Sequence, residues 1–187
     1  IDILVPDDAA AVVAAKHYLS YFQGSLSAWE SHDQTAMRDV VPENRKRIYD
    51  AREAVTLLSD IDAVLELRPL FGRSIVTALA RIEGRPVGII ANDPGHLGGA
   101  IDSDSADKAS RFMQLCDAHG LPLISLCDTP GFMVGPEAEK TAQVRHFGRM
   151  FVTGASLAVP LVSVILRKAV GLGAMAMAGG SFHRNLL

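Results

Sequence analysis

The sequence predicts an α/β fold assembled from repeated strand, turn and helix units, and three observations carry that prediction. Val159 to Leu166 is an apolar run that reads as a buried strand, and it leads through Arg167-Lys168-Ala169-Val170 and a Gly171-Leu172-Gly173 turn into an Ala/Met-rich helix. Upstream, Pro122 to Cys127 reads as a second strand and Asp128 to Pro136 as its turn. Glu137 to Ala155 follows as a helix with Pro136 near its first turn, where a missing amide hydrogen does no harm. Finally, 49% hydrophobic residues and a mean hydropathy of +0.20 suit a sheet buried on both faces.

The remaining elements follow in chain order. Ile1 to Gln23 combines an apolar opening with an Ala-rich helix whose Asp7 and Asp8 suit its N-terminus. Gly24 to Arg47 is polar and irregular, and reads as a linker. Ala51 to Leu58 reads as a short helix, Ile75 to Ile82 and Val87 to Ala91 as strands paired across Glu83-Gly84-Arg85, and Ser105 to Ala118 as a helix. No low-complexity tract or short tandem repeat interrupts the pattern.

The 187 residues suffice for one domain with a substantial core. With 18 Lys+Arg against 21 Asp+Glu and no long charged run, nucleic acid is not an expected partner. Cys116 and Cys127 fall in a helix and a strand, away from any metal-like cluster. No secretory signal is visible and no apolar run reaches the ~18 residues of a membrane span, so the expectation is a reduced, cytoplasmic chain without a membrane partner.

The chemistry sits at the glycine turns. A strand that turns through Gly-x-Gly into a helix presents unpaired backbone amides suited to an oxyanion, and two such units side by side can aim one amide each at a single oxygen. Gly171 and Gly173 also have a plainer reading, close packing of helix on strand. Gly98-Gly99 reads as a turn or bulge that steers the chain. His96 and His146 are weak acid/base candidates, and Glu137 and Glu139 read as helix N-terminal charges. Met175 and Met177 read as core and pocket lining. The stretch Gly171 to Met177 holds no Ser, Cys or Thr, so a serine hydrolase lacks its nucleophile.

Arg68 to Asn92, Gly98-Gly99-Ala100-Ile101-Asp102, Asp128-Thr129-Pro130-Gly131-Phe132 and Arg167 to Gly173 resemble, in order, the C-terminal half of one family. That family is the carboxyltransferase (beta) subunit or domain of biotin-dependent acyl-CoA carboxylases, of the acetyl- or propionyl-CoA carboxylase type. The resemblance implies a crotonase (ClpP-like) fold in two halves. It assigns 1–23 to the tail of the N-terminal half, 24–47 to a linker and 48–187 to a C-terminal domain that is incomplete at its C-terminus. It further implies a fragment, a split subunit or a truncated gene product.

The implied reaction is transfer of a carboxyl group from carboxybiotin, delivered on a biotin carboxyl carrier protein loaded by biotin carboxylase, to the α-carbon of an acyl-CoA. Biotin is not attached to this chain. The resemblance gives the biotin-facing amides to Leu172 and Gly173 after Gly171, with Gly131 and Phe132 completing that side and Gly171 and Gly173 contacting the cofactor. Met175 would line the acyl pocket. Val170 stands where the family usually carries an aromatic residue. A homo-oligomer is implied, with the helix bearing Arg145 and Arg149 contributing to a subunit interface. Two other readings stand beside this one: a self-contained crotonase-like hydratase, isomerase or decarboxylase, and a non-catalytic scaffold domain.

Overall fold

The computed structural model describes residues 1 to 181, so the further strand-and-helix unit expected beyond Gly180 lies almost wholly outside the described residues. The chain forms α1 (Asp8–Ser20), α2 (Met37–Val40), α3 (Ala51–Leu58), β1 (Val64–Leu67), β2 (Ile75–Ile82) and β3 (Arg85–Asn92). It continues with α4 (Ser103–Ala118), β4 (Leu123–Thr129), α5 (Pro136–Glu139), α6 (Gln143–Ser156), β5 (Leu161–Ala169) and α7 (Gly171–Met177). The five strands lie in one sheet in chain order, with β1, β2 and β3 antiparallel and β3, β4 and β5 parallel.

Alternation along β2 covers both faces. Ile75 and Leu79 point into a core with Ile90, Phe112, Met113 and Met150, whereas Val76, Ala78 and Ala80 join Tyr49, Val55 and Ile89 on the other side. The α4 and α6 helices cover the first face and α3 the second, as expected for a sheet buried on both sides. At its N-terminal end the chain is tied in by Tyr21, which is fully buried, and by Arg81. The Arg81 guanidinium donates to the carbonyls of Ser20, Gly24 and Gly84 at 2.7, 3.0 and 2.8 Å, drawing the 24–47 segment onto the β2–β3 turn.

Three elements differ from the sequence expectation. Val64–Leu67 is a strand because its backbone pairs with β2 and its Leu67 carbonyl accepts from Thr77 Oγ1 at 2.9 Å; four residues are too few to show a pattern. The helix expected from Glu137 to Ala155 breaks into α5 and α6 at Ala142, whose φ of 52° is left-handed. That break reorients α6 so that Phe147 stacks on Phe132 with centroids 3.7 Å apart and Met150 enters the core. The strand expected to be buried, β5, begins at Leu161 and is open on both faces: the neighbouring Val164 and Ile165, which point to opposite sides, are 44% and 65% exposed. It pairs with β4 alone among the described residues, so only one of its edges is covered.

Ser125 lies at the centre of β4, opposite Ile90 and Ser163, fully buried with no hydrogen-bond partner for its hydroxyl among the described residues. Removing an unsatisfied buried hydroxyl relieves a desolvation penalty. Ser125→Ala is therefore expected to leave the melting temperature unchanged or raise it slightly, and a fall of several degrees in a thermal melt would reveal a partner for that hydroxyl.

Candidate active site

The site is built where β4 and β5 end side by side. Asp128, fully buried on β4, gathers four donors. Tyr49 Oη donates to Oδ2 at 2.8 Å and Arg167 Nε to the same oxygen at 3.1 Å, while the Lys168 backbone amide donates to Oδ1 at 3.1 Å and Lys168 Nζ stands 3.3 Å from it. The Asp128 amide itself donates to Asn92 Oδ1 at 3.1 Å. Arg167 lies over the Tyr49 ring, 5.0 Å from its centroid, and also donates to the Arg47 carbonyl at 2.8 Å. Burial, then the hydrogen bond to Asp128, pushes the Tyr49 hydroxyl well above its ordinary pKa, so it stays a donor. One carboxylate thus fixes the end of β5, from which α7 starts.

The turn after β4 is set by Thr129 and Gly131. Thr129 Oγ1 accepts from the Gly131 amide and donates to its carbonyl, both at 3.1 Å, and Gly131 adopts φ 124°, a conformation open to glycine. The Gly131 carbonyl then accepts from Ile101 and the Met133 amide donates to the Ile101 carbonyl, a parallel bridge that turns the intervening Phe132 amide away from Ile101. On the facing side, Val170 donates to the Thr129 carbonyl at 3.2 Å, and α7 begins at Gly171 with φ 60°.

Gly173 closes the gap between these two turns. A Cβ there would lie 2.8 Å from the Gly131 carbonyl carbon, closer than real Cβ contacts come, and a tight 3.1 Å from the Phe132 nitrogen. The Phe132 amide and the first amides of α7, those of Gly171, Leu172 and Gly173, have no acceptor among the described residues. A Cβ at Gly171 would meet nothing within 4 Å, so that approach is open. Of the two sequence readings of Gly173, the packing one describes its contact with the Gly131–Phe132 backbone. Gly171 differs, because it is a glycine for its left-handed φ and not for space.

Of the other candidate residues, Val170, Leu172 and Met175 all sit exposed around α7, while Met177 is core. Gly99 is packed, its missing Cβ 2.3 Å from the Asp128 carbonyl, and the neighbouring Gly98 carbonyl accepts from Lys168 Nζ at 3.0 Å. His146 Nδ1 sits 2.9 Å from Asp107 Oδ2, an ion-pair contact without hydrogen-bond alignment, and Asp107 also accepts from Arg149 at 2.8 Å. Cys127 is buried and its thiol pushed up to about 11 by burial, so it offers no nucleophile at neutral pH. Among the described residues no group of three His, Cys, Asp or Glu residues is placed to hold a metal ion. The sequence reading named Asp128 only as the first turn residue. Its partners Tyr49 and Arg167, 79 and 39 positions away, carry no local signal.

A carboxyl transferase domain model matches residues 1–187, the whole chain. The chain belongs to the carboxyltransferase family. It is 40% identical to the uncharacterized carboxylase YngE of Bacillus subtilis over 97% of this chain and 37% of that protein. Among solved structures, a single-chain, multi-domain long-chain acyl-CoA carboxylase superposes with a TM-score of 0.97 at 59% identity, covering 100% of this chain and 19% of that one. Transcarboxylase 12S, a hexamer solved with hydrolysed methylmalonyl-CoA, superposes with a TM-score of 0.87 at 36% identity, covering 95% of this chain and 36% of that one. The carboxyltransferase segment therefore has the crotonase-like fold of those neighbours, and it spans about a third of the length of the curated relative.

Proposed function

We propose that this segment is the biotin-facing, C-terminal half of an acyl-CoA carboxyltransferase, with 1–23 the tail of the other half, 24–47 a linker and 48–187 the domain proper. The observation that supports this is the seating of Gly173 against the Gly131–Phe132 backbone, with the amides of Phe132, Leu172 and Gly173 all without a protein acceptor among the described residues. Biotin, carried on a biotin carboxyl carrier protein and loaded by biotin carboxylase, supplies the carboxyl group destined for the α-carbon of the acyl-CoA.

The work of this chain is to hold negative charge on the ureido oxygen. Backbone donors fixed by two turns need no reorganisation as that charge develops. Gly131 aims the Phe132 amide, Gly173 admits the close approach, and Gly171 leaves the entrance open to the cofactor. Val170 and Met175 give the rim an apolar wall for the acyl chain. His146 stands against Asp107, its Nδ1 2.9 Å from Oδ2, and is not assigned as a base.

Assembly fits the same reading. On α6, Val144 is 80% exposed, a surface suited to a second copy, and transcarboxylase 12S is a hexamer. Among the described residues no helix is long and apolar enough to cross a membrane, and we assign the protein to the cytoplasm.

The test compares the chain alone with the chain supplied with the rest of a carboxyltransferase, measuring decarboxylation of malonyl-CoA or methylmalonyl-CoA in the presence of free biotin. Because the chain spans about a third of its curated relative, no turnover is expected alone and turnover is expected on completion. Activity of the isolated chain at the level of the completed enzyme would favour the self-contained decarboxylase or hydratase. Inactivity in both would favour the scaffold.

A further inference from the structure

A cavity of about 450 Å³ lies away from the β4–α7 gap, between the N-terminal segment with α1 and the surface made by β1 and α4. Its volume falls in the range of small-molecule sites. Lys108 of α4 lines it, with 1% of the residue exposed and Nζ without a hydrogen-bond partner among the described residues. An ammonium group in such a place is desolvated and makes no direct hydrogen bond. Burial accordingly pulls its pKa down to about 8.

The charges around the cavity do not balance. Arg111, three residues along α4 from Lys108, lines the same space and makes no ion pair or hydrogen bond among the described residues. Arg68 is neutralised by Asp2. Glu66, the nearest carboxylate to act on Lys108, is held by both arms of Arg52 at 2.8 Å each, and Asp93 accepts from the same guanidinium at 2.8 Å. One guanidinium set against two carboxylates leaves a single negative charge to offset Lys108, so the surplus is one cation, and Arg111 has no partner of its own among the described residues. The opposite wall is small and apolar, formed by Ala11, Ala14 and Ala15 of α1.

We propose that this cavity is a binding site for an amphiphilic carboxylate, its head on Lys108 and Arg111 and its apolar tail along the alanine wall of α1. Charge complementarity selects an anion. The alanine wall selects a tail, since a bare phosphate would leave that surface uncovered. The site is separate from the amide gap, and its test does not involve carboxyl transfer.

Titration calorimetry on the 187-residue chain with octanoate, octanol and inorganic phosphate reads the proposal directly. Octanoate is expected to bind at least about tenfold more tightly than either comparator, because only it engages both walls. Lys108→Met and Arg111→Met should each weaken octanoate by about tenfold or more with circular dichroism unchanged. If Lys108→Met perturbs the fold, Arg111→Met stands alone, and the ¹⁵N shift of Lys108 Nζ in the unsubstituted chain should move on adding octanoate. Equal affinity for octanol, equal affinity for phosphate, no binding of any probe, or full affinity in folded Met variants would each overturn the assignment.

Discussion

Gly173→Ala is expected to remove most carboxyl transfer, with Gly171→Ala retaining the larger share. At Gly173 the added methyl would fall 2.8 Å from the backbone of Gly131, so α7 and the β4 turn must separate. On the proposed reading their amides then no longer meet at one oxygen, and the loss of one such donor costs on the order of 10²–10³ in rate. At Gly171 the methyl meets nothing within 4 Å. There the left-handed φ costs an L-residue about 1–2 kcal/mol, which reads as lost stability with the donors still in place. Rates measured in a complete carboxyltransferase beside melting temperatures separate the two. Near-full rate in Gly173→Ala, with Gly171→Ala inactive, would show that the oxyanion is held elsewhere.

Asp128→Ala should be the most destabilising single change at the site. The carboxylate is fully buried and its partner Arg167 nearly so, and removing one member of such a pair costs about 3–5 kcal/mol because the other is left charged and dry. Lys168 and Tyr49 lose their acceptor at the same time. For a chain of this size each kcal/mol lowers the melting temperature by roughly 2–4 °C, so a fall of about 6–20 °C is expected. Adding Arg167→Met should return part of that loss, since an apolar replacement removes the stranded charge. A double variant no more stable than Asp128→Ala would mean that Arg167 is held by the Arg47 carbonyl and the Tyr49 ring instead.

What the sequence made legible was local. The strands β4 and β5, the β2–β3 hairpin and α4 stand within a few residues of their expected bounds, because each rests on a run of apolar residues bounded by turn-forming residues. Gly131 and Gly171 were legible as turn glycines, and both take a positive φ. What stayed hidden depends on distant partners. Val64–Leu67 is a strand only because β2 offers it an edge. Ala142 has no composition that foretells a left-handed turn, and α5 and α6 part there so that Phe147 can meet Phe132. Val162, Val164 and Ile165 look like core residues in the sequence, yet they are exposed on both faces of β5, an edge strand among the described residues. Lys108 is the reverse case, a charged residue in a helix whose position is buried.

The order of the strands has a consequence for how the chain comes to be made. In this sheet β1, β2, β3, β4 and β5 lie in the order in which they are synthesised. The antiparallel β2–β3 pair closes across a two-residue turn and is the cheapest contact to form. Each later strand then emerges from the ribosome to meet a finished edge, and none has to be threaded between two strands already joined. The gap between the β4 turn and α7, which needs both β4 and β5, closes only once both strands are in place.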